Sequence, residues 1–368
     1  MFDFIPLENY AYIYYNIILL FIFLTILHTT LYTGFTEETF KFNKIFEFIL
    51  FGYILLFMGL RPVSWYFGDM WNYSKTFDYF SIGWHVDITK DFIFYSIMNF
   101  FVEIESKTSF FFFIAFLYLL NIFIASKRLF KNYSFFAFLI LVSSFEFWSY
   151  GTNGIRNGLA TSLIILAFTF MNKKWIMYLL FILAFSIHSS VLIPIGAYFV
   201  TNLFNDKEKF YFKVWFICIF LSFFIGSQIE NLITNLGILR EDVVNTYFNN
   251  KELYASSFSQ TGFRWDFLIY SSLPVIISYY FIFKKDFKDK YYQRITNIYL
   301  VSNSVWILVI QASFSNRFAY LSWFMMGLVV IYPFLKQVFF NNQFKIIGFV
   351  ILGYFSFTYL MNFILRVI

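Results

Sequence analysis

The sequence predicts an all-α, polytopic integral membrane protein, and three observations carry that reading. The chain of 368 residues is only 13% charged and 60% hydrophobic, where a soluble domain carries about 25% charged residues. Too little polar surface remains to enclose a water-soluble core. Aromatic residues, chiefly 60 Phe and 28 Tyr, reach 26%, which excludes a disordered chain. The mean hydropathy is +0.68, and the apolar residues fall into runs near the roughly 20 residues that cross a hydrocarbon layer of about 30 Å.

Those runs lie at 11–32, 45–60, 108–126, 133–148, 155–171, 174–187, 189–204, 214–229, 265–283, 295–314, 318–335 and 346–365. The sixth and seventh share one stretch, interrupted by Ser186-Ile187-His188-Ser189-Ser190 and by Pro194. A tight helical hairpin is expected there, with a single broken helix as the alternative. The expectation is therefore about twelve crossings, or about eleven if 174–204 crosses once. Residues 1–368 then form a single transmembrane domain with two larger loops on one side. Loop 61–107 opens with RPVSWYFGDMWNYSKTFDYF and continues as DITKDFIFYSIMNFFVEIE. Its apolar residues recur at helical spacing, so one or two helices lying at the outer interface are expected. Loop 230–263 is the most polar stretch, the composition of a lid or of a plain connector.

Orientation follows from the basic residues. With 33–44, 127–132, 172–174, 205–213, 284–294 and 336–345 placed inside, those short loops hold 17 of the 27 Lys and Arg, as the positive-inside rule requires. The N-terminus then starts outside. It lacks the basic segment of a cleavable signal peptide. The net charge of +6 is thereby a topological signal and no sign of a nucleic-acid partner. Residue type separates the sides further. Fifteen of the inner 17 are Lys, whereas Arg61, Arg156, Arg240, Arg264, Arg317 and Arg366 all fall outside. Lys suffices as a solvated anchor, while Arg offers a rigid fork that grips carboxylate or phosphate. Anion chemistry at the outer face is one reading; snorkelling at helix ends is the other.

Four of these Arg stand at the outer ends of apolar segments: Arg61 closes the second, and Arg156, Arg264 and Arg317 open the fifth, ninth and eleventh. Charge at such depth is costly without a cavity or partner, and helix N-termini add positive dipole ends. Together they suit a diphosphate. Gly154 and Gly158 flank Arg156 and allow close backbone approach. Asp266 beside Arg264 either orients it by an ion pair or accepts a proton from a hydroxyl. Asn316 before Arg317 is a candidate helix cap. Asp69 and Tyr73 follow Arg61 in an aromatic loop, and Tyr73 and Trp265 offer rings for stacking on sugars. Glu146 is a carboxylate that solvation does not explain, a further sugar-contact candidate. His188 carries an imidazole, whose ordinary pKa of about 6.5 lets it take or give a proton. A single Cys, Cys218, and three scattered His (His28, His85, His188) exclude a disulfide framework and a His-ligated metal cluster. No nucleotide-binding or hydrolase motif is present.

The order of these pieces resembles the Wzy/EpsG family of bacterial polysaccharide polymerases. The likeness rests on IRNGLATSLIILAF followed about thirty residues later by FSIHSS. It is similar to the family's Arg-Gln/Asn helix and its later His-Ser pair. Arg61 with GDMWNY resembles the family's outer loop, although Asp69-Met70 stands where Asp-Thr is common. GFRWDF and SNRFAYLSWF are similar to the two downstream arginine positions.

The resemblance implies a GT-C-like membrane glycosyltransferase acting on oligosaccharide repeat units linked to undecaprenyl diphosphate. The site would face the extracytoplasmic side of the bacterial inner membrane, amid membrane lipids, with a flippase and a chain-length regulator as partners. Arg61, Arg156, Arg264 and Arg317 would hold the diphosphate, and His188, Asp69 or Asp266 would take the acceptor proton. Because the leaving group is already a diphosphate, no cofactor or metal is expected. The competing readings are an O-antigen ligase, a flippase for the same lipid-linked sugars, and a membrane acyltransferase. A flippase usually shows a two-fold repeat, which this sequence lacks. The acyltransferase pattern needs an acidic partner close to His188.

Overall fold

Runs of Phe, Leu and Ile with capping residues at their ends make helices, and in the computed structural model every described regular element is helical. The structure describes residues 4–32, 34, 36–84, 91–204, 207–235 and 262–364. In chain order the helices are α1 (Asn9–Leu31), α2 (Glu37–Gly59), α3 (Asp69–Ser81), α4 (Phe92–Glu103), α5 (Lys107–Phe130), α6 (Ser134–Val142), α7 (Phe145–Thr152) and α8 (Ile155–Phe168). There follow α9 (Lys174–Ile187), α10 (Leu192–Leu203), α11 (Glu208–Asn235), α12 (Trp265–Tyr279), α13 (Lys290–Leu308), α14 (Ser315–Trp323), α15 (Met326–Lys336) and α16 (Gln343–Tyr359). Start signals are legible. Thr36 and Thr39 cap each other's backbone at α2, with Glu37 and Glu38 in the first turn where the helix dipole favours acid. Ser106 caps α5, which ends on Lys127 and Arg128.

Among the described residues, seven helical stretches are long and apolar enough to cross a membrane: Asn9–Leu31, Glu37–Gly59, Lys107–Val142, Glu208–Leu232, Trp265–Lys284, Ser315–Lys336 and Gln343–Phe363. The chain is a multi-pass membrane protein. Of the shorter apolar helices, Ile155–Phe168 and Lys174–Ile187 have 14 residues each, below the roughly 20 of a full span. Two expected segments are interrupted. The run 133–148 stops at Val142, because Ser143 and Ser144 hydrogen-bond back to the carbonyls of Ile140 and Leu141 and end the helix. Glu146 therefore lies in a separate short helix. The run 318–335 is divided at Phe324–Met325 into α14 and α15. Within 174–204, α9 ends at Ile187 and His188 adopts an extended backbone, φ −159° and ψ 126°. Residues 61–107 hold α3 and α4. Most of loop 230–263 and the residues His85, Arg240 and Arg366 lie outside the described residues.

The chain divides into two units: Met1–Leu192 with Phe334–Thr358, and Ile193–Pro333 with Tyr359–Ile368. In the first unit α8 is the central helix, buried along most of its length and packed by α5, α7 and α9. Its two ends differ in chemistry. Arg156 sits in its first turn; at its far end Arg128 donates to Thr169 Oγ1 at 2.9 Å, and nearby Lys336 donates to the carbonyl of Leu129 at 2.7 Å. Along fourteen residues the ends stand about 20 Å apart. Large aromatics fill the core, with Tyr14 against Trp148 at 4.6 Å between centroids and the Tyr14 hydroxyl on the Val142 carbonyl at 2.6 Å.

In the second unit, buried Asn303 on α13 joins three other helices. Its Oδ1 accepts from Trp215 Nε1 at 2.8 Å, and its Nδ2 donates to Ser322 Oγ at 3.0 Å and Ser271 Oγ at 3.3 Å. Arg294 closes the end of α10 by donating to the carbonyls of Thr201 and Tyr198, the basic cap a helix C-terminus favours.

Gly158 sets the approach of α7 to α8, since a Cβ there would stand 2.5 Å from the Tyr150 carbonyl oxygen. Gly158→Ala is expected to cost about 1–3 kcal/mol by overpacking, read as a lowered unfolding midpoint in detergent. An unchanged midpoint would show that the contact relaxes.

Candidate active site

The end of the first unit that carries Arg156 is assembled from four sequence segments. Arg61, two residues past α2, is 2% exposed. Its Nη1 donates to the carbonyl of Met58 and its Nη2 to that of Thr152 at 3.0 Å. Burial without a carboxylate pulls its pKa down to about 9. These contacts correct the expectation that Arg61 faces a phosphate: it braces the end of α2 against the end of α7, sealed from ligand. Next along the chain, Gly68 has φ +58°, and a Cβ there would stand 2.5 Å from Asn153 Oδ1. Only glycine fits that close, left-handed position. The same Asn153 oxygen accepts from the Asp69 backbone N–H at 2.8 Å, so the Gly68–Asp69 pair docks on the turn before α8. Asp69 lies half-buried in the first turn of α3, and its charge acts on Tyr73 one turn later.

Arg156 meets a set of partners that the sequence only partly revealed. Its Nε donates to Tyr73 Oη at 3.0 Å, and its Nη1 to Asp91 Oδ2 at 2.5 Å and Tyr95 Oη at 3.3 Å. The guanidinium also lies 5.2 Å from the Tyr73 ring centre. Burial raises the Tyr73 hydroxyl to about 12 despite the pull of Arg156, so it stays protonated. Tyr73, expected to stack on a sugar, is instead buried and hydrogen-bonded to the arginine. Asp91 and Tyr95 were missed. They stand four apart in DFIFY, one face of a helical turn, but nothing in that spacing names Arg156 as their partner.

The second arm starts one residue on. Asn157 Oδ1 lies 2.5 Å from Ser190 Oγ, which lies 2.8 Å from His188 Nδ1. The Ser190 backbone N–H also reaches Nδ1, at 3.2 Å. An amide oxygen only accepts, so the single Ser190 hydroxyl proton goes to Asn157. Oγ must then accept from His188 Nδ1–H, which leaves Nε2 as the basic nitrogen. The opposite arrangement, with Ser190 N–H donating to a bare Nδ1, puts the proton on Nε2. The two arrangements exclude each other: the Ser190 hydroxyl bond to Asn157 favours Nδ1–H, and the Ser190 N–H bond favours a bare Nδ1. Asn157 and Ser190 stood inside the quoted motifs, yet only their partners were singled out from sequence.

In the second unit, Arg264 and Asp266 form a bidentate pair at 2.9 and 2.6 Å, with the guanidinium 3.5 Å from the Phe267 ring centre. Asp266 thus orients the arginine, the first of its two expected uses. Trp265 is 52% exposed and 4.5 Å from Phe263. Arg317 is exposed in the first turn of α14 and 5.2 Å from Phe314. Phe314, in left-handed backbone, occupies the cap position instead of Asn316, whose amide approaches Tyr320 Oη. Glu146, back in the first unit, is 3% exposed, with its Oε1 2.5 Å from Ser144 Oγ. A carboxylate so enclosed does not meet a sugar, which corrects that assignment.

A family model described as the EpsG family matches residues 44–367. The chain belongs to the EpsG family. No curated protein and no solved structure matches it. Membership supports a membrane polysaccharide-polymerase role, and the EpsG match covers both arms of the site just described.

Arg61→Ala is expected to lower the unfolding midpoint by the equivalent of about 1–3 kcal/mol, through carbonyls left unpaired in the interior. Arg317→Ala, at an exposed position, should leave that midpoint within error. Equal effects of the two would remove the distinction between brace and surface arginine.

Proposed function

We propose that this EpsG-family protein joins oligosaccharide repeat units carried on undecaprenyl diphosphate, at the outer face of the inner membrane, releasing undecaprenyl diphosphate. The observation that carries the reading is the adjacency on α8 of Arg156, set among two phenol hydroxyls, and Asn157, bonded through Ser190 to His188. Glycosyl transfer from a lipid diphosphate needs those two functions, an anion holder and a proton acceptor.

In the proposed reaction an acceptor hydroxyl oxygen bonds to the anomeric carbon of the growing chain. The bond from that carbon to the diphosphate oxygen breaks, and its electron pair stays on the diphosphate. Arg156, with Tyr73 and Tyr95 able to donate their hydroxyl protons, stabilises that developing charge. Such electrostatic terms are worth about 10²–10³-fold per donor. His188 Nε2 takes the acceptor's proton, worth about 10²–10⁴-fold. Arg317, at a helix start, is proposed as a further contact for the lipid-linked substrate. Arg264 enters already neutralised by Asp266, and beside them exposed Trp265 is assigned to sugar stacking. A flippase delivering the donor and a chain-length regulator are the partners this reaction calls for.

The test is in vitro. Purified protein with one synthetic lipid-diphosphate repeat unit, without nucleotide and with EDTA, should yield a ladder of lipid-linked polymer. Arg156→Ala should abolish the ladder and Arg317→Ala should weaken it. Movement of tagged lipid sugar across liposomes with no ladder would make the protein a flippase and sink the proposal.

The His188 arm has its own check. Ser190→Ala and Asn157→Leu should each lower kcat at least about tenfold, and His188→Ala combined with either should be no worse than His188→Ala alone. Losses that multiply independently would show that the three residues do not act as one unit.

A further inference from the structure

The Arg156–Asp91 pair differs from the other satisfied arginines at this end of the fold. Arg61 is sealed by backbone carbonyls, whereas the side chains of Arg156 and Asp91 keep 25% and 14% of their surface open. An ion pair in contact with solvent can exchange partners. Asp91 also departs from its local duty. It stands at the N-cap of α4, where Asp normally accepts from the helix's own N–H groups, yet its side chain makes no cap bond. Its backbone is left-handed, φ 54° and ψ 36°, and its Oδ2 lies 2.5 Å from Arg156 Nη1. Tyr73 and Tyr95 both accept from the same guanidinium, so each keeps its own proton to give to an anion beside it.

We propose that Asp91 is a placeholder for the diphosphate: its carboxylate occupies Arg156 between turnovers, and the lipid-linked diphosphate displaces it. The inference rests on the reading of Arg156 as the diphosphate holder and adds a residue and an order of events to it. A diphosphate brings more charge and more acceptor oxygens than one carboxylate, so it gains the guanidinium and both phenols together. A lone monoanion gains little over Asp91 and is rejected. After transfer, Asp91 competes with the product undecaprenyl diphosphate and speeds its departure.

The measurement is the affinity of undecaprenyl diphosphate for the full-length protein in lipid nanodiscs, for wild type, Asp91→Asn, Asp91→Gly and Arg156→Ala. Asn and Gly both tolerate left-handed backbone, so the two Asp91 variants guard against a folding failure in either. Both should bind at least about fivefold more tightly than wild type and show a lower KM for donor together with a lower kcat. Unchanged or weaker binding in both, with binding lost in Arg156→Ala, would overturn the placeholder and leave Asp91 as a tether of Arg156. Wild-type binding in Arg156→Ala would overturn the diphosphate reading itself and the placeholder with it.

Discussion

Arg61 is the fixed point from which the rest of the site is measured. Its guanidinium spans from the last turn of α2 to the last carbonyl of α7, and a low-dielectric interior makes such charge-assisted bonds hard to exchange. From Thr152 the chain of contacts passes to Asn153, which holds the Gly68–Asp69 turn. That turn starts α3, α3 presents Tyr73, and Tyr73 receives Arg156. Arg156 stands four residues after Thr152, so the path closes on itself. A ring of this kind fixes the arginine's position by three independent long-range bonds. Breaking either of the first two, at Arg61 or at Asn153, loosens Arg156 without touching it.

The arginines show how one residue type serves different ends according to what surrounds it. Arg294 and Arg61 give their protons to carbonyls and act as caps and braces. Arg264 is matched in charge by Asp266 and lies flat on Phe267. Arg156 is matched by Asp91, with its own side chain 25% open against 11% for Arg264. A carbonyl satisfies a guanidinium's hydrogen bonds while leaving its full charge, and a carboxylate satisfies both. The latter pairing can exchange for another anion, and on the proposed reading that exchange distinguishes Arg156 from the brace Arg61.

Much of the fold was legible because hydrocarbon imposes a length on apolar runs: the all-helical, multi-pass character follows from them, while seven described stretches, against the twelve crossings expected, are long and apolar enough to span. The interruptions were not legible. Ser143 and Ser144 read as two small residues in an apolar stretch, and only their bonds to Ile140 and Leu141 carbonyls make them a stop. Gly158 was legible as a close-approach residue, since a missing side chain has few other uses beside a charged turn. Arg61 and Arg156 look alike in sequence, each at an apolar segment's end. Their burial differs because of what folds over them, which spacing does not encode. Asp91 was illegible for the same reason, since a pair separated by 65 positions leaves no periodic trace.

On the proposed reading both functions sit on one helix turn, and that placement constrains the chemistry. Successive residues on an α-helix diverge by about 100°, so Arg156 and Asn157 necessarily face different neighbours. Arg156 turns to α3 and α4, and Asn157 turns to the His188 turn after α9. Backbone geometry alone therefore sets the spacing between Arg156 and Asn157. Sites carried on rigid elements hold their geometry better than sites on loops. In a polymerisation the attached sugar chain lengthens at each step, and the groups that meet the reacting atoms must not adjust to it. Under the proposed function, a donor held by its diphosphate at Arg156 and a base positioned from Asn157 keep the same relation whatever the chain's length. That is the property repeated addition of identical units demands.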